Sequence, residues 1–207
     1  KMKHFIKICG ITSREDALCV VSAGADAIGL NMYDKSPRFI GLDNAVKIYN
    51  QFENSIKIVL VFVDEKKRFV NKCFELMPNI IAQFHGSETE EYCSSFGKKY
   101  IKVLSIRDDI NLEDIKRFSS AEMVLLDSFN PELLGGTGVS FDWSLLKERI
   151  EFPILLAGGL SPLNINSALK VASCEGVDVC SGVELQPGMK DPEKVKDFIN
   201  KVRKFND

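Results

Sequence analysis

Residues 5–33 read FIKICGITSREDALCVVSAGADAIGLNMY, and the way this stretch divides decides the fold. Its first segment, FIKICG, is an apolar, strand-forming run in which period-two alternation puts Phe5, Lys7 and Cys9 on one face and Ile6 and Ile8 on the other. SREDALCVVSAG is charged and amphipathic, as a helix is, and DAIGLNMY is a second apolar run. Strand, helix, strand is the unit of a parallel sheet. The unit recurs along the chain. The apolar runs SIKIVLVFVD, IIAQFHG, KYIKVLSI, MVLLDSF, FPILLAGGL and GVDVCSGVE follow in order. Between and after them lie the charged stretches LDNAVKIYNQF, EKKRFVNKCFELM, TEEYCSSF, LEDIKRFS, FDWSLLKERI, LNINSALKVAS and DPEKVKDFINKVRKF. Eight strands and eight helices, unbroken by a linker, predict an α/β fold: one (β/α)8 TIM barrel over residues 1–207. An open doubly wound sheet is the alternative.

Composition narrows the function. The chain of 207 residues is 45% hydrophobic and 27% charged, with a net charge of −2, so no basic surplus points to nucleic acid. The longest apolar run, Ile58–Val63, is far shorter than the ~18 residues of a membrane span. Lys3 and Lys7 interrupt the first apolar run, so no signal-peptide core is expected. Cysteines 9, 19, 73, 93, 174 and 180 form no C-x-x-C pair, and the only histidines are His4 and His85. Neither a metal site nor a disulfide framework is expected; reduced thiols in a cytoplasmic protein fit better.

Cys9 stands apart from that default, because it ends a strand at the point where side chains leave a barrel core for its mouth. In MVLLDSF, Met123, Leu125 and Asp127 share a face, so Asp127 ends the sixth strand as Cys9 ends the first. These two strands lie three steps apart around an eight-stranded ring. A thiol and a carboxyl across a cleft suit acid–base chemistry, although Asp127 as a mere turn cap is the competing reading. The glycine-rich ends of strands seven and eight, LLAGGLSP and CSGVELQPG, occupy the positions where barrels commonly bind phosphate. LLGGTGVSFDW fails the dinucleotide fingerprint at its third glycine and lacks the P-loop lysine, so Gly136, Thr137 and Gly138 read as a mobile loop over the mouth. Arg38, in DKSPRF after the second strand, has the fork geometry to clamp a carboxylate with two parallel hydrogen bonds. Lys7 beside Cys9, with Gln83 and His85 on one face at the end of the fourth strand, completes the inward-facing polar set.

Taken together, KICGIT, GADAIG, KSPRF, VFVD, QFHGSE, LLDS, GGTG, FDW, LAGGLSP, SGVE and PGMKDPEKV resemble the phosphoribosylanthranilate isomerase family of tryptophan biosynthesis. The resemblance runs from Lys7 to beyond Val195. It implies a general base at Cys9, a general acid at Asp127 and a carboxylate-binding arginine at Arg38. It also implies phosphate-binding loops at Gly158, Gly159, Ser181 and Gly182, and substrate contacts from Lys7, Gln83 and His85. The implied reaction is an Amadori rearrangement of a small phosphorylated substrate, with no cofactor, metal, nucleic acid or membrane, by a monomer or homodimer. The chain departs from the family pattern at Phe84 (usually leucine), Cys180 (commonly serine) and Asp34 (commonly proline). The related aminoaldose isomerase of histidine biosynthesis uses two aspartates, and Cys9 argues against it. Indole-glycerol-phosphate synthase needs a lysine–glutamate set at other strand ends. A binding module that merely kept the fold is disfavoured by the joint presence of Cys9, Asp127 and Arg38.

Overall fold

The two ends of the sheet meet. In the computed structural model, which describes residues 3–106, 109–128 and 142–205, strand β1 (Phe5–Ile8) pairs in parallel with β2 (Ala27–Asn31) on one side and β8 (Gly176–Val179) on the other. Between them run β3 (Lys57–Phe62), β4 (Ile81–Phe84), β5 (Tyr100–Ile106), β6 (Met123–Ser128) and β7 (Ile154–Leu156), closing a parallel barrel in chain order. An open doubly wound sheet is thereby excluded. Helices α1 (Arg14–Ala23), α2 (Leu42–Phe52), α3 (Lys67–Leu76), α4 (Glu90–Ser94), α5 (Leu112–Arg117), α6 (Ile165–Val171) and α7 (Pro192–Phe205) join or follow the strands. Polar side chains start several of them: Ser13 accepts from the Asp16 amide, Thr89 from Tyr92 and Asn111 from Glu113.

The period-two alternation sorts the barrel as the sequence predicts. Ala27, Val59, Ile81, Ile101, Val103, Leu125, Leu155 and Ala157 fill its interior, with Phe5 and Met123 packed against them. The alternate residues, among them Ile6, Ile8, Ile28, Leu60, Val124 and Leu126, face the helices in a larger outer core. Toward the carboxyl ends of the strands the inner column turns polar, and Lys7, Gln83, Asp127 and Asp178 are buried there. Phe84, a departure from the family pattern, belongs to the outer layer. It packs against Phe62, Tyr92, Phe96 and Tyr100 and so concerns packing alone.

Two elements differ from the expectation. FDWSLLKERI forms only a 3₁₀ turn, Trp143–Leu146, among the described residues. Leu146 is its single fully buried residue and Lys147–Arg149 are exposed, so the stretch has no continuous apolar face to offset the ordering of a longer helix. After β8 the chain makes a second 3₁₀ turn, Ser181–Val183, and then an antiparallel ribbon of β9 (Glu184–Gln186) and β10 (Met189–Lys190). Pro187 and Gly188 make the ribbon's turn, which the sequence reading had merged into a glycine-rich loop.

The last helix completes the outer layer. Phe198 of α7 is fully buried, whereas Leu163 is 95% exposed. Phe198→Ala should therefore cost about 3–5 kcal/mol, the range for truncating a buried aromatic, and Leu163→Ala less than about 0.5 kcal/mol. Urea unfolding of both variants checks this, and equal midpoints would contradict the packing described.

Candidate active site

The residues singled out in the sequence converge at the carboxyl end of the barrel. Cys9, Arg38, Gln83, His85, Asp127, Gly158, Gly159 and Ser181 border one cavity of about 290 Å³. Lys7 lies on the same inward face as Cys9, fully buried. Gly182 stands behind the cavity wall, where an added Cβ would meet the Leu160 carbonyl, so the loops after β7 and β8 touch backbone to backbone. Gly136, Thr137 and Gly138 lie outside the described residues, as does Phe141 of FDW.

Each side chain is set by its neighbours. Strand register places Lys7 directly opposite Asp178 of β8, and its Nζ donates to Asp178 Oδ1 at 2.8 Å. Asp178 was missed in the sequence, yet the alternation Gly176, Asp178, Cys180 in GVDVC would have put it on the inward face. Burial works against the Lys7 cation, but the charges of Asp178 and Cys9 outweigh it and raise its pKa. Half-buried Cys9 is the next inward residue. A hydrogen bond from the Cys180 thiol, then the cations Lys7 and Lys190, hold its pKa well below the usual thiol range against the opposing effect of burial. Cys180 moves up in turn, because it is the donor to Cys9.

Asp127 is displaced the other way. Burial, reinforced by the Cys9 charge, pushes its carboxyl up to about 6, although the Ser128 amide donates to Oδ1 at 2.8 Å and Lys7 opposes the shift. His85 Nε2 lies 3.7 Å from Asp127 Oδ2. Burial, with Lys7 and Lys102, lowers the His85 pKa to about 4, so near neutrality the imidazole is uncharged and the contact is not an ion pair. Gln83 Nε2 is 3.4 Å from His85 Nδ1, and the buried Gln83 Oε1 has no partner among the described residues.

Arg38 has a partner inside the protein that its sequence context does not reveal. The carboxylate its fork clamps is internal: Nε lies 2.9 Å from Glu184 Oε1 and Nη2 2.8 Å from Glu184 Oε2. Gly10, with φ +76°, permits this course, because an added Cβ would stand 2.6 Å from Arg38 Cδ and 2.9 Å from Cys180 Sγ. The glycine that follows Cys9 thus makes room for the arginine stem. Ser36 Oγ accepts from the Arg38 amide at 3.1 Å and from Asn31 Nδ2 at 3.1 Å, tying the loop to the end of β2. Asp34 is exposed on that loop. Glu184 lies in SGVE and Lys190 in PGMKDPEKV, but only tertiary pairing brings Glu184 to Arg38 and Lys190 to Glu184.

Comparison with known proteins agrees with this geometry. The family profile for N-(5'phosphoribosyl)anthranilate (PRA) isomerase matches residues 6–201. An N-(5'-phosphoribosyl)anthranilate isomerase of Geotalea uraniireducens is 42% identical over 199 residues, 96% of this chain and 98% of that one. The crystal structure of phosphoribosyl anthranilate isomerase from Thermotoga maritima matches with a TM-score of 0.89 at 36% identity, covering 97% of this chain and 99% of that one. A solved phosphoribosyl anthranilate isomerase in complex with reduced 1-(o-carboxyphenylamino)-1-deoxyribulose 5-phosphate matches at 0.84 with 33% identity, over 97% and 99% of the two chains. With its barrel closed in chain order and Cys9, Arg38 and Asp127 bordering one cavity, the chain belongs to the N-(5'-phosphoribosyl)anthranilate isomerase family.

Proposed function

We propose that this chain converts N-(5-phosphoribosyl)anthranilate into 1-(2-carboxyphenylamino)-1-deoxyribulose 5-phosphate, with Asp127 as general acid and Cys9 as general base. The observation that carries the reading is the facing pair on one cavity, a thiol pushed toward its anion and a carboxyl pushed toward its neutral form. Ring opening needs a proton on the furanose oxygen as the C1–O bond breaks, which protonated Asp127 supplies. The resulting iminium makes the C2 proton acidic, and the Cys9 thiolate removes it. The enol then gains a proton at C1 and loses the one on its C2 oxygen to become the ketone. Every step is a proton transfer, for which two positioned side chains suffice.

The remaining residues would bind and orient. The loops carrying Gly158, Gly159, Ser181 and Gly182 supply main-chain amides to the phosphate. Arg38 meets the anthranilate carboxylate, and Gln83 Oε1 and His85 meet sugar hydroxyls. Lys7 acts from beneath, by charge rather than by contact with substrate. We place the activity in the cytoplasm, in a single catalytic domain that works as a monomer or homodimer. No helix among the described residues is long and apolar enough to cross a membrane.

Two experiments test the division of labour. Cys9→Ala should fold and lose at least ~10²-fold in kcat, the scale of general-base removal. Asp127→Asn cannot give up a proton to the ring oxygen and should be as impaired with the cyclic substrate. With a linear, pre-opened analogue, deuterium exchange at C2 should survive in Asp127→Asn and fail in Cys9→Ala. Equal loss of exchange in both variants would mean the roles are wrongly divided.

The pH profile follows from the same displacements. Activity needs Cys9 deprotonated, so kcat/KM should rise as pH climbs through its lowered pKa. It needs Asp127 protonated, so kcat/KM should fall as pH climbs through about 6 in the free enzyme. Substrate phosphate and carboxylate add negative charge near Asp127, so the alkaline limb of kcat should lie above that of kcat/KM. A kcat limb at or below the kcat/KM limb would remove Asp127 as the acid.

A further inference from the structure

The β9–β10 ribbon falls outside the eight-unit pattern, yet its two charged side chains are buried against the cavity wall. Glu184 accepts from Arg38 on both carboxylate oxygens, from Lys190 Nζ at 2.9 Å and from the Gly188 amide at 3.3 Å. Lys190 Nζ also donates to the Cys180 carbonyl at 3.3 Å. Arg38 is 8% exposed, Glu184 7% and Lys190 1%. Burial of Glu184 is outweighed by the Arg38 hydrogen bonds and the Lys190 charge, which hold its carboxyl below the ordinary range, so it stays ionised. Two buried cations therefore share one buried anion.

That arrangement has a geometric and an electrostatic side. A bidentate pair fixes the plane of a guanidinium as a single hydrogen bond cannot. With Nε and Nη2 held by Glu184, Nη1 has no protein acceptor among the described residues, and Arg38 borders the cavity. The three groups also carry a formal surplus of one positive charge, which stabilises the nearby Cys9 anion and is open to a ligand anion as well.

We propose that Glu184 and Lys190 are positioning residues that mount Arg38 in one plane, with its Nη1 end offered to the cavity and a net positive charge behind it, so that the site selects ligands bearing a carboxylate there. This rests on Arg38 as the partner of the substrate carboxylate and names what gives that partner its direction and strength. Cys180 at the end of β8 and Gly10 after β1 set the walls between which the Arg38 stem lies.

The test compares two ligands by calorimetry: reduced 1-(o-carboxyphenylamino)-1-deoxyribulose 5-phosphate, and the same compound without its carboxylate. The unaltered protein should prefer the first by at least ~10-fold, the scale of one charge-assisted hydrogen bond. Arg38→Ala should abolish the preference. Glu184→Gln, which keeps shape but loses the anion and half the fork, should reduce the preference severalfold while the carboxylate-free ligand binds as before. Lys190→Met leaves the Arg38–Glu184 pair intact but removes the surplus charge, and should also reduce the preference, which keeps the proposal testable if Glu184→Gln does not fold. Equal weakening of both ligands in these variants, or an unchanged ratio, would overturn the mount. A preference that survives Arg38→Ala would instead overturn the reading of Arg38 itself, and failure of the unaltered protein to bind either ligand would overturn the proposed function.

Discussion

Everything at the mouth of this barrel depends on one ion pair inside it, Lys7 with Asp178 at 2.8 Å. A lysine in a barrel interior is tolerable only if an anion is held against it, and breaking such a buried pair typically costs about 3–5 kcal/mol. The register of β1 on β8 supplies the anion at the level of the lysine. With Asp178 in place, Lys7 keeps its charge, and that charge lies directly beneath Cys9. The same pair marks where the inner column changes character. Below it the barrel is filled with aliphatic and aromatic side chains; above it come the groups that meet the cavity.

Opposite displacements of two acids in one small space need an asymmetry, and the strands provide it. Cys9 has a thiol donor on one side and two lysines within electrostatic reach, and these outweigh its burial. Asp127 is also buried, but among the described residues Lys7 is the only cation that opposes this, and the Cys9 charge pushes it further toward the neutral form. The Cys9 anion thus favours neutral Asp127, and neutral Asp127 leaves the Cys9 anion without a like charge beside it. Lowering the thiol raises the carboxyl, which is the condition for an acid and a base to coexist at one pH.

Much of this was legible in the sequence because it obeys the two-residue period of a strand. That period placed Lys7 and Cys9 together and put Asp127 at a strand end, and the eight-fold alternation ordered the barrel. The sixth helical stretch forms only a 3₁₀ turn, and charge pattern alone does not show that Leu146 is the one described residue of Trp143–Leu146 that is fully buried. The roles of Glu184 and Lys190 were hidden for a different reason. Six residues apart, they face one another only because the chain turns back at Pro187 and Gly188, and Glu184 meets Arg38 146 positions away. The Arg38 fork was visible in the sequence, but the internal carboxylate that holds two of its nitrogens was not.

The closure of β1 on β8 has a consequence for how such a molecule is made. Lys7 and Asp178 are 171 positions apart, so the contact that sets the charge under Cys9 joins nearly opposite ends of the chain. Contacts of such long range carry a large loop-closure cost and tend to form late. During synthesis, β1 leaves the ribosome long before β8 exists. Until then Cys9 lacks Asp178-anchored Lys7, Cys180 and Lys190 and is an ordinary thiol, its anion scarce at neutral pH. Completion of the ring and activation of the base are then one event, so in a nascent or truncated chain Cys9 has only the reactivity of an ordinary thiol.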